Sequence, residues 1–397
     1  MKKILFLGAA PTQIPPLRYA LEQGHYVITC DYLPENPGHI LAHESYNIST
    51  TDKNAVLNLA RRLSIDAIVA YASDPAAPTA AYVAEKMGLP GNPYQSVLIL
   101  ARKDLFRTFL KNNGFNVPRS ESFYESEKAR TWLKEIDVPA FIKPVDSSGS
   151  KGITYLTDIF KFDEAFDYAL NYSREKMVVV EEAVQRVGYQ VDSDIFFLNG
   201  QLFYWIWGDQ HQNKKCNPFV PIGISFPSVL DEKKQKIAID KVASVIKKLN
   251  FNFGAFNVEF IVDKFGEIWI IEIGPRNGGN LIPEVIKYVS GFDFVKHTVD
   301  VALGAKSIDY SANQEDNYCA SYLIHAEESG VFDYLWLSEN IKKYIITNDT
   351  WVKNGDEVKK YTASNDTLGT IILKFSSMDE MLQTLDSMEA HIRVILR

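Results

Sequence analysis

The sequence is poor in cysteine. Its three cysteines, Cys30, Cys216 and Cys319, lie far apart in 397 residues. They match neither a zinc spacing nor a disulfide framework, so a reducing, cytoplasmic setting fits. Positive charge is also short: 42 Lys and Arg face 50 Asp and Glu, a formal net charge of -8. That balance argues against nucleic acid as a partner, while leaving room for a local basic site. No apolar run is long enough to span a membrane, so no membrane partner is expected. The opening Met1-Lys2-Lys3 and the run Ile4 to Leu7 have the look of a short signal peptide, but the run is brief and turns Pro-rich; a buried first strand is the better reading. No internal repeat or low-complexity tract is present. Two phosphate-binding signatures are missing as well. The first βα turn holds only Gly8, not the three glycines of a dinucleotide fingerprint, and no Walker A order occurs anywhere.

What is present is an ordinary globular composition, 46% apolar and 23% charged, in a chain long enough for two or three domains. In the first third, strands are expected at Lys3–Leu7, Tyr26–Asp31 and Asp66–Ala70. Helices are expected after Pro15-Pro16 and over Asn54–Leu63. Alternating strand and helix gives a Rossmann-like parallel sheet. A turn-rich stretch at Gly88–Pro93 precedes a helix over Lys103–Asn113. Lys103 at its start gains nothing from the helix dipole and is suited to an anion.

The chain's chemistry concentrates in two stretches. In the first, Ala140–Pro144 reads as a strand, Asp146–Gly152 as a small-residue turn, and Ile153–Leu156 as another strand. Lys143 in an apolar strand is costly unless an anion pairs with it. The turn offers N–H groups, hydroxyls and Lys151, all suited to polyphosphate. It reads as a hairpin flap over phosphates, or else as an ordinary flexible tip. A helix around Phe162–Leu170 follows, then the strand Met177–Val180 running into Glu181-Glu182-Ala183-Val184. Such an extended edge can read adenine through alternating C=O and N–H groups, or can simply be a solvated strand end.

In the second stretch, two β-patterned runs flank Asp263-Lys264-Phe265-Gly266, a turn signal. Folded about that turn, Glu259 and Glu272 come near each other. Two carboxylates on a half-buried sheet repel, and a hard divalent cation such as Mg²⁺ removes the conflict; two glutamates facing water is the plainer alternative. Arg276 and Gly278-Gly279 follow at once, and a guanidinium fork fits phosphate or carboxylate.

Lys103, the Lys143 strand with its loop, the Glu181-Glu182 hinge and Glu259 through Arg276 come in the order found in the ATP-grasp superfamily, which this chain resembles from about Lys103 to Gly304. The resemblance implies a mixed α/β and α+β architecture: a pre-ATP-grasp Rossmann-like domain at 1–102, an ATP-grasp domain at 103–305 with its flap at about 136–185, and an α+β domain at 306–397. It implies ATP with Mg²⁺ (or Mn²⁺) as cofactors. Lys103 and Lys143 would contact phosphates, covered by Ser147, Ser148, Gly149, Ser150, Lys151 and Gly152. Glu181, with the backbone of Glu182, Ala183 and Val184, would hold adenine, and Gln190 would take the ribose where the family often has Glu. Glu259 and Glu272 would ligate metal. Arg276, with Lys143, would act on the acyl phosphate or substrate carboxylate. The family's Glu-x-Asn-Pro-Arg reads Glu272-Ile273-Gly274-Pro275-Arg276 here, so the third metal ligand is missing; Asn277 is the first substitute to consider and Asn257 the second.

The implied activity is a carboxylate–amine ligase that works through an acyl phosphate on small molecules, and a homodimer is compatible with it. A bicarbonate-dependent carboxylase and a non-catalytic ATP-binding regulator are the alternatives. The segment Trp207–Pro227, with His211, Lys214 and Lys215, looks like a variable substrate loop and lacks an Arg-rich bicarbonate signature; His211 itself reads as a plain surface histidine. In the C-terminal part, strands are expected at Tyr318–Ile324, Ile341–Ile346 and Thr370–Phe375, with a closing helix over Asp379–Arg393. His325 and Glu327 there read as structural.

Overall fold

The computed structural model describes residues 1–213, 215–313 and 317–397; Lys214 of the expected substrate loop lies outside them. The first sheet holds strands β1 (Lys3–Leu7), β2 (Tyr26–Asp31), β3 (Glu44–Asn47) and β4 (Ala67–Val69), all parallel in the order β3-β2-β1-β4. The runs β1, β2 and β4 are continuous and apolar because helices cover both faces. The helix Ile14–Glu22 starts with prolines in its first turn, and Asp52 caps the helix Lys53–Leu63 by accepting from the Ala55 N–H at 3.0 Å. Strand β3 was not expected. It lies at the sheet edge with side chains half-buried or exposed, and so shows no apolar run.

Helices Ala77–Met87, Tyr94–Ala101 and Lys103–Asn112 lead into the flap. Its antiparallel sheet contains β5 (Ser120–Phe123), β6 (Ala140–Pro144), β7 (Thr154–Leu156) and β8 (Val178–Glu182), ordered β5-β8-β6-β7. Helices Ser126–Ile136 and Phe162–Tyr172 close its back through Leu133, Ile142, Phe162, Phe166 and Val180.

The remaining strands are β9 (Val191–Leu198), β10 (Gln201–Trp205), β11 (Gly208–Gln212), β12 (Pro221–Phe226), β13 (Gly254–Val262), β14 (Ile268–Gly274), β15 (Tyr318–Ile324), β16 (Gly330–Leu337), β17 (Ile345–Thr350), β18 (Glu357–Val358), β19 (Gly369–Phe375) and β20 (Ile392–Leu396). One nine-stranded sheet runs β14-β13-β9-β11-β12-β15-β19-β17, with β10 also on β9. Alternate residues of β9 serve two cores. Ile195 and Phe197 pack with the helix Glu232–Lys248, whereas Phe196 and Leu198 pack with the helix Ile282–Ser290 and with Phe294 of the helix Phe294–Ala302. Every residue of β9 is therefore buried.

Strands from both sides of position 305 share this sheet. Strands β16, β18 and β20 form a separate small sheet. Two C-terminal expectations need correction. Residues Glu339–Lys342 form a helical turn capped by the Ser338 hydroxyl, which accepts from the Ile341 N–H at 3.3 Å, so the strand starts only at Ile345. The closing helix covers only Met378–Asp386, and Ile392–Leu396 is a strand antiparallel to β16. The alternation of Ile392, Val394 and Leu396 into the local core decides this in favour of strand.

Candidate active site

A cleft of about 540 Å³ lies between the flap sheet and the nine-stranded sheet. On the flap side, Lys143 from β6 donates to Glu181 Oε1 at 2.7 Å. Arg107, from the helix Lys103–Asn112, donates through Nε to Glu181 Oε2 at 2.5 Å and through Nη1 to the Ile271 carbonyl at 2.9 Å. The two side chains come together because β6 and β8 pair with Phe141 opposite Glu181. Burial opposes charge on Glu181, but Arg107 and Lys143 outweigh it and hold its carboxyl down at about 2. Burial draws the Lys143 ammonium below its usual value while Glu181 resists. Its Nζ also lies 4.5 Å from the centre of the Phe141 ring. The cost foreseen for Lys143 is thus met within the protein.

The floor is acidic. Glu259 of β13 and Glu272 of β14 stand opposite each other in the hairpin register, and Asp192 of β9 is opposite Glu259 on the other side. Gln190 donates to Glu259 Oε2 at 2.5 Å. Gln210 and Asn257 donate to Asp192 at 2.9 and 2.8 Å. Burial raises Asp192 to about 6 despite those two hydrogen bonds. Burial also pushes Glu259 well up, and the charges of Asp192 and Glu272 push it further. The floor thus holds more carboxylate than cation. A hard divalent ion fits such a donor set, with phosphate oxygens and water completing its shell. Among the described residues no three acidic, His or Cys side chains converge at ligating spacing; Glu259 and Glu272, paired across the hairpin, are two carboxylates that could share an ion.

Lys103 joins the two walls. Its Nζ donates to the Ser147 carbonyl at 2.8 Å and sits 3.8 Å from Glu272 Oε2, while its backbone N–H donates to the Val145 carbonyl. A cation at a helix start is explained by this position between the loop and the floor. At the far end, Arg276 donates through Nε and Nη2 to the two oxygens of Asp74, at 2.7 and 2.6 Å, and through Nη1 to the Asn277 carbonyl. The flap tip is held from outside. Ser150 Oγ donates to the Phe219 carbonyl at 3.1 Å, and Ser364 Oγ donates to the Gly149 carbonyl at 3.3 Å. Gly149 has φ +65°, and a Cβ there would come within 2.1 Å of Ser364 Oγ. The Phe219 ring packs edge-on to Phe141 and tilted on Tyr155.

Of the expected residues, Lys103, Lys143, Ser147, Ser148, Gly149, Ser150, Glu181, Glu182, Val184, Gln190, Glu259, Glu272 and Arg276 line the cleft. Four stand outside its lining. Ala183 donates its N–H to the Pro139 carbonyl, Gly152 packs against Tyr172 and Pro144, and burial lowers the Lys151 ammonium, with the Arg174 charge adding to it. Asn277 is buried, and its side-chain carbonyl accepts from Thr298 at 2.9 Å. The carboxylate that joins Glu259 and Glu272 on the floor is Asp192. Glu182 lines the cleft, but its carboxylate is bound to Arg119 at 2.7 Å. Arg107 and Asp74 carry no local signal in the sequence. His211 is neither exposed nor free: its Nε2 lies 2.8 Å from Ser225 Oγ, and burial lowers its pKa to about 4.

Known proteins resemble this chain. The family described as the ATP-grasp domain matches residues 100–280. Alanine–anticapsin ligase of Bacillus subtilis is 26% identical over 335 residues, covering 75% of this chain and 68% of that protein. The crystal structure of L-amino acid ligase from Bacillus licheniformis shares the fold with a TM-score of 0.84 at 19% identity, covering 100% of this chain and 99% of that one. N5-carboxyaminoimidazole synthetase from Staphylococcus aureus, complexed with ADP, does so with a TM-score of 0.76 at 17% identity over 97% and 96%.

Proposed function

Since this chain belongs to the ATP-grasp superfamily, we propose that it is an ATP- and Mg²⁺-dependent ligase that joins a small, amino-acid-like carboxylate to an amine. The observation that carries this reading is the cleft itself: a basic flap wall with Lys143 and Lys103, an acidic floor with Glu259, Glu272 and Asp192, and Arg276 at its end. The likeness to the alanine–anticapsin and L-amino acid ligases supports an amino-acid-like substrate.

In this reading the adenine end of ATP lies by Glu182 and Val184. The phosphates run towards Lys103 under the Ser147–Ser150 N–H groups. Glu259 and Glu272 would hold Mg²⁺, which when bound neutralises phosphate charge. A substrate carboxylate oxygen attacks the γ-phosphorus, the bond to the bridging oxygen breaks, and ADP leaves. The amine nitrogen then attacks the acyl carbon, the C–O bond to phosphate breaks, and the nitrogen loses a proton. The residues supply alignment, charge and exclusion of water rather than a covalent intermediate. The uncommitted edge of the Arg276 fork suits the phosphoryl oxygens of the acyl phosphate.

A phosphate-release screen of carboxylates against amines tests the proposal. Release that needs one carboxylate and one amine supports it. Release that follows bicarbonate would move the chain to the carboxylase branch. ATP bound but never turned over by any pair would overturn the ligase in favour of a regulator.

A further inference from the structure

We propose that Asp74, in the loop after β4, is a positioning residue that aims Arg276 at the phosphoryl end of the cleft, in a space that a side chain at residue 274 would crowd. This inference rests on the ligase reading above. Asp74 belongs to the N-terminal Rossmann-like part of the chain, outside the segment that the family matches.

Three observations converge on it. Asp74 grips the Nε and Nη2 edge of Arg276 with both carboxylate oxygens, and the Asn277 carbonyl takes Nη1. Three of the five guanidinium donors are thus fixed, leaving one on each terminal nitrogen, and a planar fork held in this way has a defined direction. Both side chains are mostly buried, at 11% and 16% exposure, yet both line the cleft. Asp74 also lines a second cavity of about 390 Å³ and shares Lys103, Ser147 and Glu272 with both, so it stands in the partition at the phosphate end.

The third observation concerns Gly274. Its backbone is not in the left-handed region, so its conformation does not call for glycine. Space does: a Cβ there would lie 2.8 Å from Asp74 Oδ1 and 3.0 Å from Arg276 Cζ. The residue that seemed to be a lost metal ligand is the opening through which a carboxylate from another part of the fold reaches the arginine.

The test uses the full chain and calorimetric binding of two probes with Mg²⁺, ADP and the β,γ-imido analogue of ATP. Arg276→Ala sets the full loss of preference for the terminal phosphate. Asp74→Ala and Gly274→Ala are each expected to weaken the imido analogue by about tenfold while ADP affinity holds. Asp74→Asn, which keeps the shape and one acceptor, is expected to fall between. If Arg276→Ala loses the preference and both Asp74→Ala and Gly274→Ala keep it, the positioning role is overturned. It is equally overturned if they weaken both nucleotides alike, which is what a merely structural ion pair would do. A wild-type chain that binds neither nucleotide would overturn the ligase reading itself, and this inference with it.

Discussion

The two walls of the cleft follow opposite electrostatic rules. On the flap side one buried carboxylate, Glu181, is matched by two cations, Lys143 and Arg107, and its acidity is strengthened. On the floor a buried Asp192 and a half-buried Glu259 stand beside Glu272, and the arginine at its end, Arg276, is already gripped by Asp74. Burial raises Asp192 and Glu259 accordingly. The flap wall is complete as folded, so it contributes a fixed shape. The floor is in electrostatic deficit, which a cation would relieve.

The contrast can be broken most severely on the flap side. Glu181→Gln leaves two buried cations without their counter-charge and is expected to cost about 3–5 kcal/mol, read as a shift in the urea midpoint. On the floor the expected loss is in chemistry rather than in fold. Glu272→Ala should lower phosphate release by about 100-fold, with the melting temperature of the metal-free chain unchanged or raised. Equal destabilisation by the two substitutions would erase the distinction.

The gentlest test uses pH and lies just behind the floor. Glu284, in the first turn of the helix Ile282–Ser290, has both carboxylate oxygens shielded from solvent. Burial, with the charges of Asp194 and Asp293, raises it to about 7. An acid whose folded value is raised costs stability progressively as pH climbs from the ordinary glutamate range through about 7. Glu181, whose value is lowered, does the reverse: its stabilisation is present above the ordinary glutamate range and is lost as pH falls towards 2. Glu284→Gln should therefore raise the melting temperature by about 2–4 °C at pH 8 and leave it unchanged at pH 4. A constant gain at both values would show that charge is not the cause.

What the sequence made legible was local. The turn Asp263–Gly266 with alternating strands set the hairpin, and the register puts Glu259 opposite Glu272 as read. Lys143 was conspicuous because an ammonium in an apolar strand demands a partner, but which partner was beyond reach: Glu181 lies 38 residues from Lys143, and Arg107, which shares it, 74 residues from Glu181. Asp74 was invisible for the same reason, being 202 residues from Arg276 in a loop of ordinary composition. Where the Asn277 amide points was beyond the sequence as well: Thr298, on a later helix, donates to its side-chain carbonyl. The edge strand β3 escaped because it is defined by its neighbour in the sheet and not by its own pattern.

The nine-stranded sheet also limits how the molecule can be divided. Strand β12 is bonded to β15 along Gly223–Phe226 and Cys319–Tyr322. A polypeptide ended near position 305 would leave that flank of β12 with bare N–H and C=O groups, an open template for another chain. The nucleotide-binding part is therefore not a detachable cassette. Its solubility depends on strands contributed by the last quarter of the sequence, and a shortened version would be prone to self-association before its chemistry could be assayed.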